Sequence, residues 1–150
     1  MMLKAGTFLK SNKALGGTIF ENVLIILVEK NDEGAIGFVI NKPYGRSLTE
    51  LEEFKHSPNL PVFDGGPVDR EHIYLLHRHP HVISESLSFM GNLSWGGNIK
   101  DAIQAIAGNA IPAAHVKLLL GYCGWDAGEL EKEVAEGSWT IIPGKEEDVF

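Results

Sequence analysis

The chain has 150 residues, of which 44% are apolar and 22% charged, so it can bury the core of one globular domain. Its 20 acidic residues outnumber its 13 basic residues, and the net charge of −7 opposes sequence-independent binding to nucleic acid. The longest apolar run, Val23 to Val28, is far shorter than the ~20 residues of a membrane span, and the single cysteine excludes an internal disulfide and favours a reducing cytoplasm.

The first half of the chain predicts strands at its apolar runs. Residues 7–9 suit a short strand, and residues 11–18 are typical of a loop. The run 23–28 does not alternate with polar residues, which indicates a strand covered on both faces. Turn-forming residues at 31–34 join it to a second apolar strand at 35–40, and this pair predicts an antiparallel hairpin at the centre of a sheet.

Three segments predict short helices. Ser47 and Glu50 have the spacing of a capping box, and this favours a helix over 48–55. A stripe of apolar residues predicts a helix over 99–107, with Asn98 as its N-cap. The acidic pair Asp126 and Glu129 favours a helix start near 127 and a helix to about 136. Glu129 and Glu133 are interpreted as surface carboxylates of that helix.

The other apolar segments complete an α+β domain that spans 1–150. Residues 86–90 and 93–95 predict a hairpin about Gly91, where a type II′ turn demands positive φ. Strands precede helices without strict alternation, which indicates a single compact α+β domain with mixed or antiparallel coiled sheets and about three short helices. The remaining predicted strands are 62–63, 73–76, 116–120 and 139–142.

Five segments, in order and spacing, resemble the YqgE/AlgH family of small bacterial proteins. These segments are Phe20–Leu27, Gly34–Pro43, Phe63–Val68, Leu76–His77 and Gly121–Glu131. The resemblance runs from about Gly6 to Phe150 and implies a compact α+β fold, a bacterial cytosolic location and the label of transcriptional regulator. Cys123 and Glu129 depart from the small residue and the glutamine that are usual in the family. The resemblance supplies no catalytic residues.

Two groups of residues could form a metal site or a catalytic site. His77, His79 and His81 would share a face of a strand and could bind zinc, but Pro80 interrupts the ladder, so a surface loop is the favoured interpretation. Cys123 precedes a helix whose amides could stabilise a thiolate, with His77 or His115 as a base. The alternative for Cys123, which we favour, is a small packed side chain in a tight turn.

Two proline-containing turns, one of which also has a glycine pair, predict a ligand cleft. If the turns at 41–43 and 64–67 lie side by side, they form a rigid rim with exposed amides, which three more side chains could complete as a shallow polar and aromatic cleft. In the alternative interpretation these turns only end strands, and Trp125 lies in the core. The candidate binding residues are Asn41, Pro43, Gly65, Gly66, Pro67, His77, Tyr122 and Trp125.

The pattern as a whole favours a non-enzymatic binding or regulatory module. We expect no catalytic residues, metal or cofactor, no membrane contact, and a protein partner or a small ligand. The first alternative is a regulator that binds DNA directly, although no basic helix pair supports it. The second is an enzyme that depends on Cys123 or on histidines.

Overall fold

Ten strands form one coiled sheet within residues 3–150, the part of the chain that the computed structural model describes. The strands are β1 (Phe8–Ser11), β2 (Leu24–Asn31), β3 (Gly34–Val39), β4 (Pro43–Ser47), β5 (Pro61–Asp64), β6 (Val68–His77), β7 (Ser86–Met90), β8 (Leu93–Gly96), β9 (Val116–Asp126) and β10 (Trp139–Ile142). The helices of this region are α1 (Ile99–Ala107) and α2 (Glu129–Ala135). Single 3-10 turns occupy Lys13–Leu15, Leu48–Glu50, Glu52–Phe54, Ala113–His115 and Glu146–Val149.

The long strand β9 pairs with three other strands and so connects the two halves of the sheet. The strands run in the order β10-β1-β2-β3-β9-β6-β8-β7, and β5 adds to β9 in parallel and carries β4 on its far side. The first half of β9 pairs with β5 and β6, and its second half pairs with β3. Almost every pairing is antiparallel and the β5–β9 pair is parallel, so the predicted α+β class with mixed or antiparallel sheets is confirmed.

The predicted central hairpin is confirmed as β2 and β3. Alternate residues of β2 face two different apolar clusters, because successive side chains of a strand point to opposite faces. Ile25 and Leu27 pack with Trp125 and Trp139 on one face, and Ile26 packs in the second cluster on the other face. A third cluster lies under α1 and the 48–54 segment. The uninterrupted apolar run is therefore explained by burial on both faces.

The predicted helix over 48–55 is wrong. The segment forms two 3-10 turns that are separated at Leu51, whose backbone is extended, with φ −89° and ψ 127°. The Leu48 amide donates to Leu60 O at 2.7 Å, and the Leu48 side chain is buried. Ser47 makes no side-chain cap bond to the backbone. Tertiary burial of Leu48 has overridden the local capping pattern. The described region thus has two α-helices where about three were expected.

The other two helices exist, with one corrected start. Helix α1 has the predicted bounds, and Asn98 accepts from the Lys100 amide at 2.8 Å as its N-cap. Helix α2 begins later than predicted, because Gly128 is its N-cap with a left-handed φ of 77° and the predicted acidic cap bond is absent there. The hairpin turn is as expected, with φ 50° at Gly91. Within residues 3–150, no helix has the length and apolarity needed to cross a membrane.

Candidate functional site

A cleft of about 410 Å³ opens at the rim that the turns at 41–43 and 64–67 form, and we call it the Lys42–Arg70 cleft. Its volume falls within the range of small-molecule sites. The apolar floor and wall come from the loop before β2 and the end of β3, while two cations and one carboxylate stand at the rim. The lining residues are Ile19, Phe20, Val23, Val39, Lys42, Pro43, Asp64, Gly66, Pro67 and Arg70.

Backbone hydrogen bonds hold the two turns side by side. The Asp64 amide donates to Lys42 O at 2.7 Å, and Pro43 is paired with Phe63 across β4 and β5. Gly65 joins both neighbouring strands, because its carbonyl accepts from the Val39 amide at 3.0 Å and its amide donates to Leu120 O at 2.8 Å. The rim is therefore a fixed part of the sheet.

Gly66 is required where the rim crosses β9. Its φ is +152°, and a Cβ at this position would lie 2.3 Å from the carbonyl carbon and oxygen of Tyr122. No side chain fits at that distance. The glycine lets the turn lie directly on the β9 backbone, and this close approach brings Pro67 to the cleft wall.

A bulge in β6 positions Arg70 at the cleft. Val68 pairs with Tyr122 and Ile73 pairs with Leu120, so β6 advances by five residues where β9 advances by only two. The displaced Arg70 donates from Nη1 to Asp64 Oδ1 at 2.5 Å and to Gly66 O at 2.9 Å. The bond to the Asp64 carboxylate raises the pKa of Arg70, so this group stays charged. Bulges often re-aim side chains in this way.

The local charge of the cleft opposes that of the whole protein. Lys42 and Arg70 contribute two positive charges, and Asp64 contributes one negative charge. Among residues 3–150, Lys42 has no carboxylate within salt-bridge distance. A net positive cleft in a chain of net charge −7 favours an anionic group of a ligand.

Three of the eight predicted binding residues line the cleft, and two more lie beside it. Pro43, Gly66 and Pro67 line the cleft, and Gly65 lies directly behind its rim. Asn41 precedes Lys42 of the cleft, but its side chain is bonded to the backbone at the start of β2 and does not line the cleft. Its Oδ1 accepts from the Leu24 amide at 2.9 Å, and its Nδ2 donates to Asn22 O at 3.0 Å.

His77 lies away from the cleft. It faces Val116 at one end of β9, while Val68 faces Tyr122 six residues further on. At about 3.3 Å per residue, this separates His77 from the rim by roughly 20 Å. His77 is fully buried, and its Nδ1 accepts from the His79 amide, so the neutral ring carries its proton on Nε2, beside Ser86 Oγ at 2.9 Å. Burial lowers the pKa of His77.

The two predicted aromatic residues belong to different apolar clusters, and neither lines the cleft. Tyr122 is half-buried and meets Tyr74 edge-on, with ring centroids 5.6 Å apart. Trp125 belongs to the apolar cluster that contains Val23 and Val39, the floor of the cleft. Trp125 is therefore a support of the floor, in agreement with the alternative interpretation of this residue.

The three histidines at the end of β6 do not share one face of a strand. β6 ends at His77, and His79 turns to stack on His115, with Nε2 and Nδ1 2.9 Å apart. His81 is exposed. Across residues 3–150 there is no group of three or more side chains placed to hold a metal ion. The favoured interpretation, a surface loop after a strand, fits the exposed His81, but His77 is the buried last residue of β6.

Cys123 is packed in the core behind the rim. It is 2% exposed, its Sγ donates to Gly65 O at 3.6 Å, and burial raises the pKa of the thiol to about 12. A thiolate would be strongly disfavoured there. The side chain fills space behind Gly65, as expected for a small packed side chain, but it lies within β9 and not in a tight turn.

Sequence reasoning missed several residues of the site. Arg70 was missed because the β6 bulge that positions it has no clear sequence signal. Ile19 was missed although its side chain is 70% exposed in the structure, because a single apolar residue in a loop carries no pattern. Lys42 stands within a segment that the resemblance singled out, and its basic charge beside Pro43 was the available signal.

Comparison with known proteins places this fold and chain in one family. The family model described as AlgH-like (DUF179) matches residues 8–150. A UPF0301 protein of Chlorobaculum parvum is 35% identical over 149 residues, covering 99% of this chain and 80% of the relative. One from Dechloromonas aromatica is 31% identical over 150 residues, covering 95% of this chain and 80% of the relative.

Two solved structures share the architecture. The solution structure of the AlgH protein from Pseudomonas aeruginosa superposes with a TM-score of 0.79 at 29% identity, covering 100% of this chain and 85% of that chain. A crystal structure of a protein from Corynebacterium diphtheriae gives a TM-score of 0.77 at 15% identity, covering 99% and 80%, and shows the fold alone. The chain belongs to the AlgH-like (UPF0301) family, as the resemblance of its motifs indicated.

Proposed function

We propose that the protein is a non-enzymatic binding module of the cytoplasm and that the Lys42–Arg70 cleft takes a small organic anion with an apolar body. The observation that carries this proposal is the pairing of an apolar floor with two cations in a strongly acidic protein. A regulatory role would follow if the ligand changes which surface the module presents to a partner.

The apolar part of the cleft supports the apolar half of such a ligand. Val23 and Val39 form a rigid floor, because both belong to the buried cluster around Trp125. The exposed Ile19 side chain stands at the rim. A ligand that covers this side chain removes its apolar surface from water, at about 25 cal/mol per Å².

The rim supports the anionic half. Within residues 3–150 the Lys42 ammonium group has no salt-bridge partner, and Arg70 is held by Asp64 and by Gly66 O. The guanidinium has five N–H donors, so two bonds from Nη1 leave donors for a carboxylate or a phosphate. We expect Lys42 to supply most of the net attraction, because Asp64 offsets the charge of Arg70.

Titration with octanoate tests this proposal through tryptophan fluorescence. Phe20 lines the cleft and contacts Trp139 edge-on, with ring centroids 5.7 Å apart, so a ligand that moves Phe20 should change the emission of Trp139. We expect a saturable change with octanoate. Octanol, which lacks the anion, should bind at least ~10-fold more weakly, a difference of about 1.4 kcal/mol.

Charge-reversal variants provide the control. Lys42→Glu should weaken octanoate binding by ~10-fold or more, whereas Lys100→Glu, at an exposed position on α1, should leave it unchanged. If both variants bind octanoate as the natural protein does, the cleft is not the site. If octanol and octanoate bind equally, the ligand is not recognised through its charge.

Direct DNA binding is the alternative proposal, and the same protein tests it. Helices α1 and α2 pack against different apolar clusters, so they do not form a helix-turn-helix pair. Fluorescence anisotropy of a labelled duplex at low salt is the measurement. We expect no salt-sensitive binding, and tight, sequence-dependent binding would favour the alternative.

A further inference from the structure

A buried lysine in β9 has no role in the Lys42–Arg70 cleft. Lys117 follows Val116 at the start of the strand, and the residue is only 8% exposed. Its Nζ donates to Val149 O at 2.7 Å and lies 4.0 Å from the centre of the Phe63 ring. Among residues 3–150, no carboxylate lies within salt-bridge distance of this amine.

This setting makes the charged ammonium less favourable than it is in water. A carbonyl oxygen and a ring face compensate a buried ammonium less well than a carboxylate does. Burial accordingly lowers the pKa of Lys117 to about 8. At pH 7 about a tenth of such amines are unprotonated, against fewer than ~1 in 1,000 for an ordinary lysine.

The amine borders an apolar cavity of about 260 Å³, which we call the Lys117 cavity. Apart from Lys117, the side chains that line it are hydrocarbon, and Lys117 is its one ionisable side chain. The walls are Pro61, Phe63, Ala113, Ala114, Val116 and Phe150. The volume suits a molecule of a few carbon atoms, and none of these wall residues lines the Lys42–Arg70 cleft.

We propose that Lys117 is a carbonyl-capturing amine, which forms an imine with a small aldehyde or ketone whose short apolar substituent fills the Lys117 cavity. The Nζ lone pair attacks the carbonyl carbon, and the electron pair of the C=O bond moves to oxygen, which takes up a proton. Proton transfer and loss of water from this carbinolamine leave the C=N bond. Water is the only product besides the imine, and no oxidant or reductant takes part. Desolvated lysines are the usual nucleophiles of this reaction.

Reductive trapping tests the proposal on the folded protein. The natural protein is treated at pH 7 with limiting propanal and cyanoborohydride, and the propylated lysines are located by peptide mapping. We expect Lys117 to be labelled at least ~10-fold faster than the exposed Lys100, because far more of it is free amine. Equal labelling, or preferential labelling of Lys100, would overturn the proposal.

Two controls separate the cavity from general reactivity. In guanidinium chloride the preference for Lys117 should disappear, since unfolding removes both the burial and the cavity. Ala114→Leu narrows the cavity at an exposed position and leaves the amine in place. It should slow labelling of Lys117 severalfold without changing that of Lys100. Undiminished labelling of Lys117 in this variant would show that the cavity does not receive the carbonyl.

Discussion

At the scale of single residues, Glu133 is a half-buried carboxylate that bonds to two core side chains. It was predicted as a surface carboxylate, yet its Oε1 accepts from the indole N–H of Trp125 at 3.0 Å and from that of Trp139 at 2.9 Å. The two rings meet edge-on, with centroids 6.2 Å apart. Glu133 thus satisfies two polar groups of the cluster that supports the cleft floor.

Removal of this acceptor should destabilise the protein. Glu133→Ala leaves both indole N–H groups without a partner, and we expect the free energy of unfolding to fall by about 2–3 kcal/mol. Urea denaturation measures the loss. Glu129→Ala, on the exposed side of α2, is the control and should change stability by less than about 0.5 kcal/mol. Similar losses in the two variants would contradict this role of Glu133.

The buried His77 should make stability depend on pH. Its pKa is lowered in the folded protein by burial, so the unfolded chain takes up the proton first as the pH falls below about 6.5. The free energy of unfolding should therefore decrease from pH 7 towards pH 5, by at most ~1.4 kcal/mol per pH unit for this one group.

Substitution separates His77 from the other titrating groups. His77→Gln should be less stable at pH 7 and should lose less stability between pH 7 and pH 5 than the natural protein. The pKa of His79 is also lowered, mainly by burial, so part of the slope should remain. Exposed His56→Gln is the control. If His77→Gln keeps the full slope, His77 is not a source of the pH dependence.

At the scale of elements, the two candidate N-caps differ in the structure and should differ in energy. Asn98 makes its cap bond to the Lys100 amide, whereas Ser47 makes none. Asn98→Ala should lower the free energy of unfolding by about 1 kcal/mol, and Ser47→Ala should lower it by only a few tenths of a kcal/mol. Chemical denaturation of both variants is the measurement. A larger loss from Ser47→Ala would restore the predicted capping box.

The same elements show what the sequence could predict. The β2–β3 hairpin and α1 follow from local patterns, because a doubly buried strand and an amphipathic helix each need a distinctive run of residues. The pairing of β6 with β9 is not a local property, and it is this register that separates His77 from the predicted cleft. Two turns of the cleft could thus be predicted, while Arg70 and the floor residues depended on tertiary structure.

At the scale of the whole molecule, the sheet places a small positive cleft on an acidic protein. The long β9 supports both halves of the sheet, and the rim turn containing Gly65 and Gly66 rests on its middle. The long-range field repels anions, while the local field of Lys42 and Arg70 attracts them. This combination favours a small anion over a polyanion, since a polyanion also meets the surrounding negative surface.

An NMR titration with octanoate tests this account most directly, because each amide reports its own surroundings. We predict that the ¹⁵N–¹H signals of Phe20, Lys42, Gly66 and Arg70 shift together and saturate, while those near His77 stay in place. Shifts confined to residues outside the Lys42–Arg70 cleft, or no shifts with octanoate in large excess, would contradict the account.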